Sequence, residues 1–420
     1  MMMKQNFNNM QFINHIVTYI LAGILVLECR SVWMSVPDSN FNLFLLVGLF
    51  ITTFIRIVTM PLSIKGLRIA SFVSLFVISV GVIWYIATSY NIAGLAKFIV
   101  SVVLLVFNYF ATIEQNRRDL LIKYKNIILC ISFISLFFWF FGTQLGIINR
   151  TGTITSTWVS KLNQSFTTFP NYYNLYFETQ GISIFGKHFI RNTAIFTEAP
   201  MASFHFSIAL LVEVFFYKTP RLWVILLFSL TILTSFSTTG MVLLVIVAFY
   251  LIMTFKKSTV VIQLVKLLLL PLSFIVGLFL ITYLLNTRLD TVGSGQIRID
   301  DFIIGFKTWL ERPVFGYGYG NVAPLTAKMG MWRIWNRGFS NSVMTILAQG
   351  GVLIFSVYIL PIFKGITNMI VQKSMNQLLF TILFLYLYAV TITTYNYLPI
   401  LIILFIWDSN SWNIYESSRV

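Results

Sequence analysis

The sequence predicts an all-α, polytopic membrane protein, and three observations lead to that class. Of the 420 residues, 58% are hydrophobic and 10% are charged, whereas soluble domains carry about 25% charged residues. Mean hydropathy is +0.84. The apolar residues are gathered into runs whose length approaches the roughly 20 residues that a helix needs to cross a bilayer. Lipid is therefore the expected solvent around most of the chain.

Twelve apolar runs are candidates for transmembrane helices within one domain, residues 1–420. They cover residues 12–27, 41–55, 69–89, 95–113, 126–148, 199–217, 222–236, 240–255, 260–285, 341–362, 377–394 and 397–407. The last two could instead form one segment bent around 393–397, which would reduce the count to eleven. No small-residue cleavage site follows the first run, so it is expected to remain as an uncleaved span.

The short connections predict the orientation. Lys and Arg cluster in alternate connections, at 56–68, 117–125, 218–221, 256–257 and 364–373, whereas the turns at 90–94 and 235–240 contain neither residue. Cytoplasmic loops carry the excess of basic residues. Both termini are therefore expected in the cytoplasm.

Two long connections, residues 149–195 and 286–340, fall outside under this topology. Together they hold eleven Lys and Arg residues against five acidic residues, and long loops are common places for function. An anionic partner outside the membrane is the natural inference. The net charge of +16 is scattered between apolar runs, which favours contact with anionic lipid over nucleic acid.

An amphipathic helix is predicted within the second long connection, over residues 297–312, and is expected to lie along the membrane interface. Its polar stripe consists of Arg298, Asp301, Gly305, Thr308 and Arg312. A guanidinium group offers phosphate a bidentate fork, so Arg298 is a candidate ligand for a diphosphate. Pairing with Asp301 on a plain surface helix is the alternative.

The start of the sixth span is the second candidate site. Glu198 followed by Pro200 is typical of a helix N-terminus. Glu198 and His205 share one face of that helix, so both are candidates for acid-base chemistry. Capping by Glu198 and a hydrogen-bonded core position for His205 are the alternatives.

Several polar elements near the other span ends complete the candidates. The glycine loop 316–321 could present backbone N–H groups to a ligand or be a flexible turn. Residues 237–240 could contact a sugar or cap the eighth span, and Ser340 and Asn341 resemble an N-cap for the tenth. Cys29 and Cys130 have no spacing suited to a disulfide or zinc site.

Taken in order, these segments resemble the O-antigen ligase and polymerase family. The residues that carry the resemblance are Arg191, Ile195, Phe196, Glu198 and Pro200, then residues 237–240, Arg298, residues 313–321, Asn341, Ser342, Leu347, Gly350 and Gly351. The resemblance covers roughly residues 190–365. It implies a fold like that of GT-C-type membrane glycosyltransferases.

The resemblance implies transfer of a glycan from a polyprenyl diphosphate, such as undecaprenyl diphosphate, without a metal or other cofactor. Fixed arginines would stabilise the charge that develops on the leaving diphosphate. Arg191 and Arg298 are the first candidates, and Glu198 is preferred to His205 or His188 as a weak base. The further candidates for substrate binding are Arg312, Arg333, Arg337, Gly316, Gly318, Asn321, Asn341 and His205.

A Wzy-type polysaccharide polymerase of a bacterial cytoplasmic membrane is the preferred function. Ligases of the family carry a histidine just before the position of Asn341, where this chain has Gly338, Phe339 and Ser340. A ligase and a flippase for lipid-linked glycans are the alternatives. The expected partners are lipid-linked repeat units, membrane lipid, a flippase and a chain-length regulator.

Overall fold

The computed structural model describes residues 2–112, 114–158, 166–184, 187–254, 294–333 and 337–408, and this part is mostly helical. The helices are α1 (Met2–Glu28), α2 (Phe41–Thr59), α3 (Ile64–Thr88), α4 (Ile92–Phe110), α5 (Glu114–Phe137), α6 (Ala199–Phe216), α7 (Leu222–Thr234), α8 (Thr238–Thr254), α9 (Ser294–Glu311), α10 (Ala323–Thr326), α11 (Ser342–Val371), α12 (Met375–Ala389) and α13 (Tyr397–Trp407). The prediction of a helical, polytopic membrane protein is confirmed.

Seven helices in the described residues are long and apolar enough to cross a membrane. They are Gln11–Glu28, Phe41–Thr59, Ile64–Thr88, Ile92–Phe110, Arg117–Gln144, Ala199–Phe216 and Ser342–Val371. Four shorter apolar helices match other predicted spans: Leu222–Thr234, Thr238–Thr254, Met375–Ala389 and Tyr397–Trp407. The predicted ninth span, residues 260–285, lies outside the described residues.

The centre of the bundle is formed by α6 and α13. Almost every residue of both helices is buried, as expected for helices that are apolar on all sides. The helices around them bury one side and leave large apolar side chains exposed on the other, such as Phe44, Phe72 and Leu222. The last two predicted spans are separate helices, because α12 ends at Ala389 and α13 begins at Tyr397.

Two small antiparallel sheets lie in the first long connection, where the sequence predicted no strands. The first sheet has the order β1 (Gly152–Ser156), β2 (Thr167–Tyr172) and β3 (Tyr176–Phe177), and β4 (Gly181–Ile184) pairs with β5 (Lys187–Ile190). Ile154 is paired with Phe169, and Ser183 with His188. Strands of two to six residues are too short to show a recognisable alternation of apolar and polar residues in the sequence.

The sequence placed residues 117–125 in a polar connection, but the structure places them in α5. Arg117 pairs with Asp408, and Lys125 Nζ lies 2.9 Å from Glu213 Oε2. Arg221 also pairs with Glu213, at 2.8 Å. A buried carboxylate takes its partners from the neighbouring helix, since burial of an unpaired charge is costly.

Candidate functional site

The α7–α8 turn lies at the end of the bundle that holds the described parts of both long connections, residues 149–195 and 286–340. We call this end the loop face. Arg191 Nε donates to Ser235 O at 2.8 Å, and Nη2 donates to Phe236 O at 3.1 Å. Arg191 is only 9% exposed. Its guanidinium group therefore caps the carbonyls at the end of α7 and holds the turn in place.

Arg298 approaches the same turn from α9. Its Nη1 donates to Thr239 Oγ1 at 2.8 Å, in the first turn of α8. The nearby Glu198 and Asp301 carboxylates act on it electrostatically. Burial lowers the pKa of Arg298 from its usual value, but an arginine remains protonated at neutral pH. The turn thus brings Arg191 and Arg298 into one region.

A cavity of about 270 Å³ opens beside Arg298. It is lined by Arg298, Ile299, Phe302, Ser340, Asn341, Ala389 and Val390. One wall comes from α9, one from the start of α11 and one from the end of α12. The cavity combines a fixed positive charge with small polar groups and apolar walls, which is the composition of a typical ligand pocket.

Glu198 is the N-cap residue of α6, as the sequence predicted, but its side chain makes no capping hydrogen bond. The carboxylate instead points towards Arg30, whose Nη1 lies 4.0 Å from Glu198 Oε1. Glu198 also acts electrostatically on Arg298, so both arginines influence its carboxylate. Sequence reasoning missed Arg30; its only signal was a charged residue directly after the first apolar run.

His205 lies in the packed core rather than beside the cavity. Its Nδ1 contacts Tyr124 Oη at 2.8 Å, its Nε2 contacts Cys29 O at 3.0 Å, and its ring stacks on Phe196 at 4.1 Å between centroids. Both ring nitrogens are therefore engaged, as in the core-histidine alternative. His188 is an exposed residue of β5.

Arg333 is fully buried and orders the chain that leads into α11. Its Nη1 lies 2.6 Å from Asp301 Oδ1 and 3.0 Å from Asp300 Oδ2, and its Nη2 donates to Gly338 O at 2.6 Å. The Ser340 N–H donates to the second oxygen of Asp301 at 2.8 Å. Arg333 therefore positions Ser340 at the cavity wall and is not itself exposed to a ligand.

The glycine loop, residues 316–321, packs against α11. The N–H groups of Tyr317 and Gly318 are bonded there and are not free for a ligand, contrary to the expectation. Tyr317 N donates to Ala348 O at 3.0 Å, and Gly318 N donates to Gln349 O at 2.8 Å. Gly316 has a φ of +63° and Gly318 a φ of +98°, where other residues are strained. The loop is thus packed against α11 at Ala348 and Gln349, rather than being a flexible turn.

The other candidate residues stabilise the glycine loop or lie close to it. Asn321 Nδ2 donates to Tyr317 O at 3.1 Å, and exposed Arg312 stacks over the Tyr317 ring at 4.7 Å. Asn341 is the N-cap of α11, accepting from Met344 N at 3.0 Å, which confirms the predicted cap. Arg337 is half-buried.

Arg191, Glu198, Arg298 and Asn341 are therefore brought to one region of the loop face. Within the described ranges, no group of three His, Cys, Asp or Glu side chains could hold a metal ion. Fold and site together define a multi-pass membrane protein with a cavity lined by Arg298 at one end of its bundle.

Residues 223–359 match the family model described as O-antigen ligase. The matched region is roughly a third of the chain, and its similarity to O-antigen ligases supports the resemblance that the sequence indicated. The match includes Thr239, Arg298 and Asn341, whereas Arg191 and Glu198 lie before it. No curated protein matches the chain.

Proposed function

We propose that the protein is a polysaccharide polymerase that joins oligosaccharide repeat units carried on a polyprenyl diphosphate. The observation that carries the proposal is the position of Arg298 at the cavity wall, where its Nη1 donates to Thr239 and the Glu198 carboxylate acts on it electrostatically. Arg191 fixes the α7–α8 turn next to Thr239. These residues come from three separate segments. The similarity of residues 223–359 to O-antigen ligases supports glycan chemistry on a lipid-linked substrate.

In the proposed reaction, a sugar hydroxyl of one repeat unit attacks the anomeric carbon of another glycan. A new C–O bond forms, and the bond from the anomeric carbon to the diphosphate oxygen breaks with its electron pair going to that oxygen. Arg298 stabilises the charge on the leaving group. The hydroxyl proton passes to the Glu198 carboxylate, which is the proposed weak base.

A polymerase is preferred to a ligase because of the segment before Asn341. Gly338, Phe339 and Ser340 stand where ligases of the family carry a histidine, and His205 is held inside the core. The loop face would be the outer side of a bacterial cytoplasmic membrane, with both termini inside. A flippase would supply the undecaprenyl-linked units and a chain-length regulator would set polymer size.

Reconstitution of the purified protein with lipid-linked repeat units tests this function. A ladder of longer lipid-linked glycans is expected, and Arg298→Lys should abolish it, because lysine keeps the charge but loses the two-pronged donor. Lys97→Ala is the matched control, since Lys97 is an exposed basic residue near the loop-face end of α4. It should leave the ladder intact.

The alternatives give different products. A ligase would transfer glycan only to a different acceptor lipid, and a flippase would move the repeat unit across the vesicle membrane without lengthening it. A normal ladder from Arg298→Lys, with the variant present at wild-type level, would refute the proposed role of Arg298.

A further inference from the structure

Arg30 adopts a strained backbone immediately after α1. Its φ is +62°, a left-handed conformation that is uncommon for residues other than glycine. Its N–H donates to Glu28 O at 2.8 Å, which makes a tight turn. Such backbone strain persists only where the surroundings impose it, and it is concentrated at functional sites.

The surroundings of Arg30 do impose this conformation. The Glu28 carboxylate accepts the first N–H of α13 at 2.8 Å. His205 contacts Cys29 O at 3.0 Å, and the Thr197 N–H donates to Arg30 O at 3.1 Å. The last residue of α1, Glu28, and the two residues that follow it are thus fixed by α13, α6 and the segment before α6, respectively. This arrangement gives the Arg30 side chain a defined direction.

That direction leads to the candidate site. The Arg30 side chain is 31% exposed and that of Glu198 is 19% exposed, with 4.0 Å between their nearest charged atoms. Among the described residues, the Arg30 guanidinium donates no hydrogen bond, since 4.0 Å is too long for one. Its donors are therefore accessible to a ligand. Arg191, by contrast, is 9% exposed and bonded to backbone carbonyls.

We propose that Arg30 is a further anion-binding residue of this site, which holds phosphate oxygens of a lipid-linked substrate together with Arg298. Arg191 is then a positioning residue for the α7–α8 turn. The inference rests on the proposed function, which supplies the diphosphate. Arg30 lies beside Glu198, and Arg298 interacts electrostatically with the same carboxylate, so positive charge is available to hold a diphosphate near the proposed base.

The strained backbone offers a clean test. Arg30→Gly removes the guanidinium while placing at φ +62° the residue that favours this conformation, so folding should be unharmed. Binding of farnesyl diphosphate to the purified full-length protein is measured first, with farnesol as the uncharged control. We expect diphosphate binding to weaken about 10- to 100-fold, as for loss of a charge-assisted hydrogen bond, with farnesol binding unchanged.

Three further variants separate the explanations. Arg30→Lys should recover part of the binding, and Lys97→Ala should bind as the wild type does. If Arg30 only neutralised Glu198, then Arg30→Gly would not weaken diphosphate binding in a protein that already carries Glu198→Gln. We expect the double variant Arg30→Gly with Glu198→Gln to show the same loss of diphosphate binding as Arg30→Gly alone. In the polymer assay, Arg30→Gly should raise KM for the repeat unit by a similar factor.

Wild-type diphosphate binding by Arg30→Gly would overturn the inference, and so would a lower thermal stability with unchanged binding. Should the glycine variant fail to fold, Arg30→Lys decides the matter through the same KM comparison. The two proposals fail separately. Arg30-dependent binding without any polymer would refute the polymerase, whereas polymer that is insensitive to Arg30→Gly would refute only the role of Arg30.

Discussion

The buried pair of Arg333 and Asp301 should dominate the stability of the second long connection. Both side chains are fully buried, and the pair joins α9 to the chain before α11 through Gly338 and Ser340. Arg333→Met would leave the Asp301 carboxylate without its cation. Removing one partner of a buried ion pair costs about 3–5 kcal/mol, so a loss of that size is expected.

The assay is equilibrium unfolding of the purified protein in mixed micelles. Arg312→Gln provides the comparison, because Arg312 is exposed and its contact with Tyr317 is worth about 0.5–1 kcal/mol. The double variant Asp301→Asn with Arg333→Met should be less destabilised than the sum of the single variants, since it leaves no fully buried charge unpaired. The reasoning is refuted if Arg333→Met costs no more than Arg312→Gln.

The pH dependence provides a second check on this pair. Burial raises the pKa of Asp301, and Arg333 opposes that shift. Without Arg333 the folded protein should bind a proton at Asp301 more readily than the unfolded chain does. Stability then falls as pH rises. The Arg333→Met defect should therefore shrink as pH falls from neutral through the raised pKa of Asp301.

Three other predictions concern the α11 region. Gly351→Ala should lower the free energy of unfolding by at least about 2 kcal/mol, because φ is +60° and the new Cβ would lie 2.3 Å from a backbone oxygen. The control is Gly23→Ala, where the new Cβ meets open space. Thermal unfolding should show this control to be neutral or stabilising. Asn341→Ala should cost about 1 kcal/mol and Asn341→Gly a few tenths; equal losses would contradict the cap. Hydrogen bonds from Lys328 and Tyr317 lower the pKa of Glu311, so the contribution of Glu311 to stability is fully present above the ordinary carboxyl pKa. It is lost as pH falls through the lowered pKa. The difference in melting temperature between the wild type and Glu311→Gln should therefore vanish below the lowered pKa.

The sequence alone determined the properties that depend on local patterns. The membrane class, the positions of the apolar helices and the amphipathic α9 follow from the length and period of hydrophobic runs. The helix starts at Glu198 and Asn341 follow from residue preferences over one turn. The sequence also indicated Arg191, Glu198 and Arg298, which the structure places in one region; their functional roles remain predictions.

Only the tertiary structure decided which distant groups meet. Cys29 and His205 are 176 positions apart, yet their contact helps to fix Arg30 beside Glu198. The N–H groups of Tyr317 and Gly318 are bonded to α11, and Glu213 pairs with Lys125 and Arg221, for the same reason. Hydropathy reports how strongly a segment prefers lipid, but partners are chosen by the packing of whole helices. That choice is why Arg30 emerged as a site residue only from the structure.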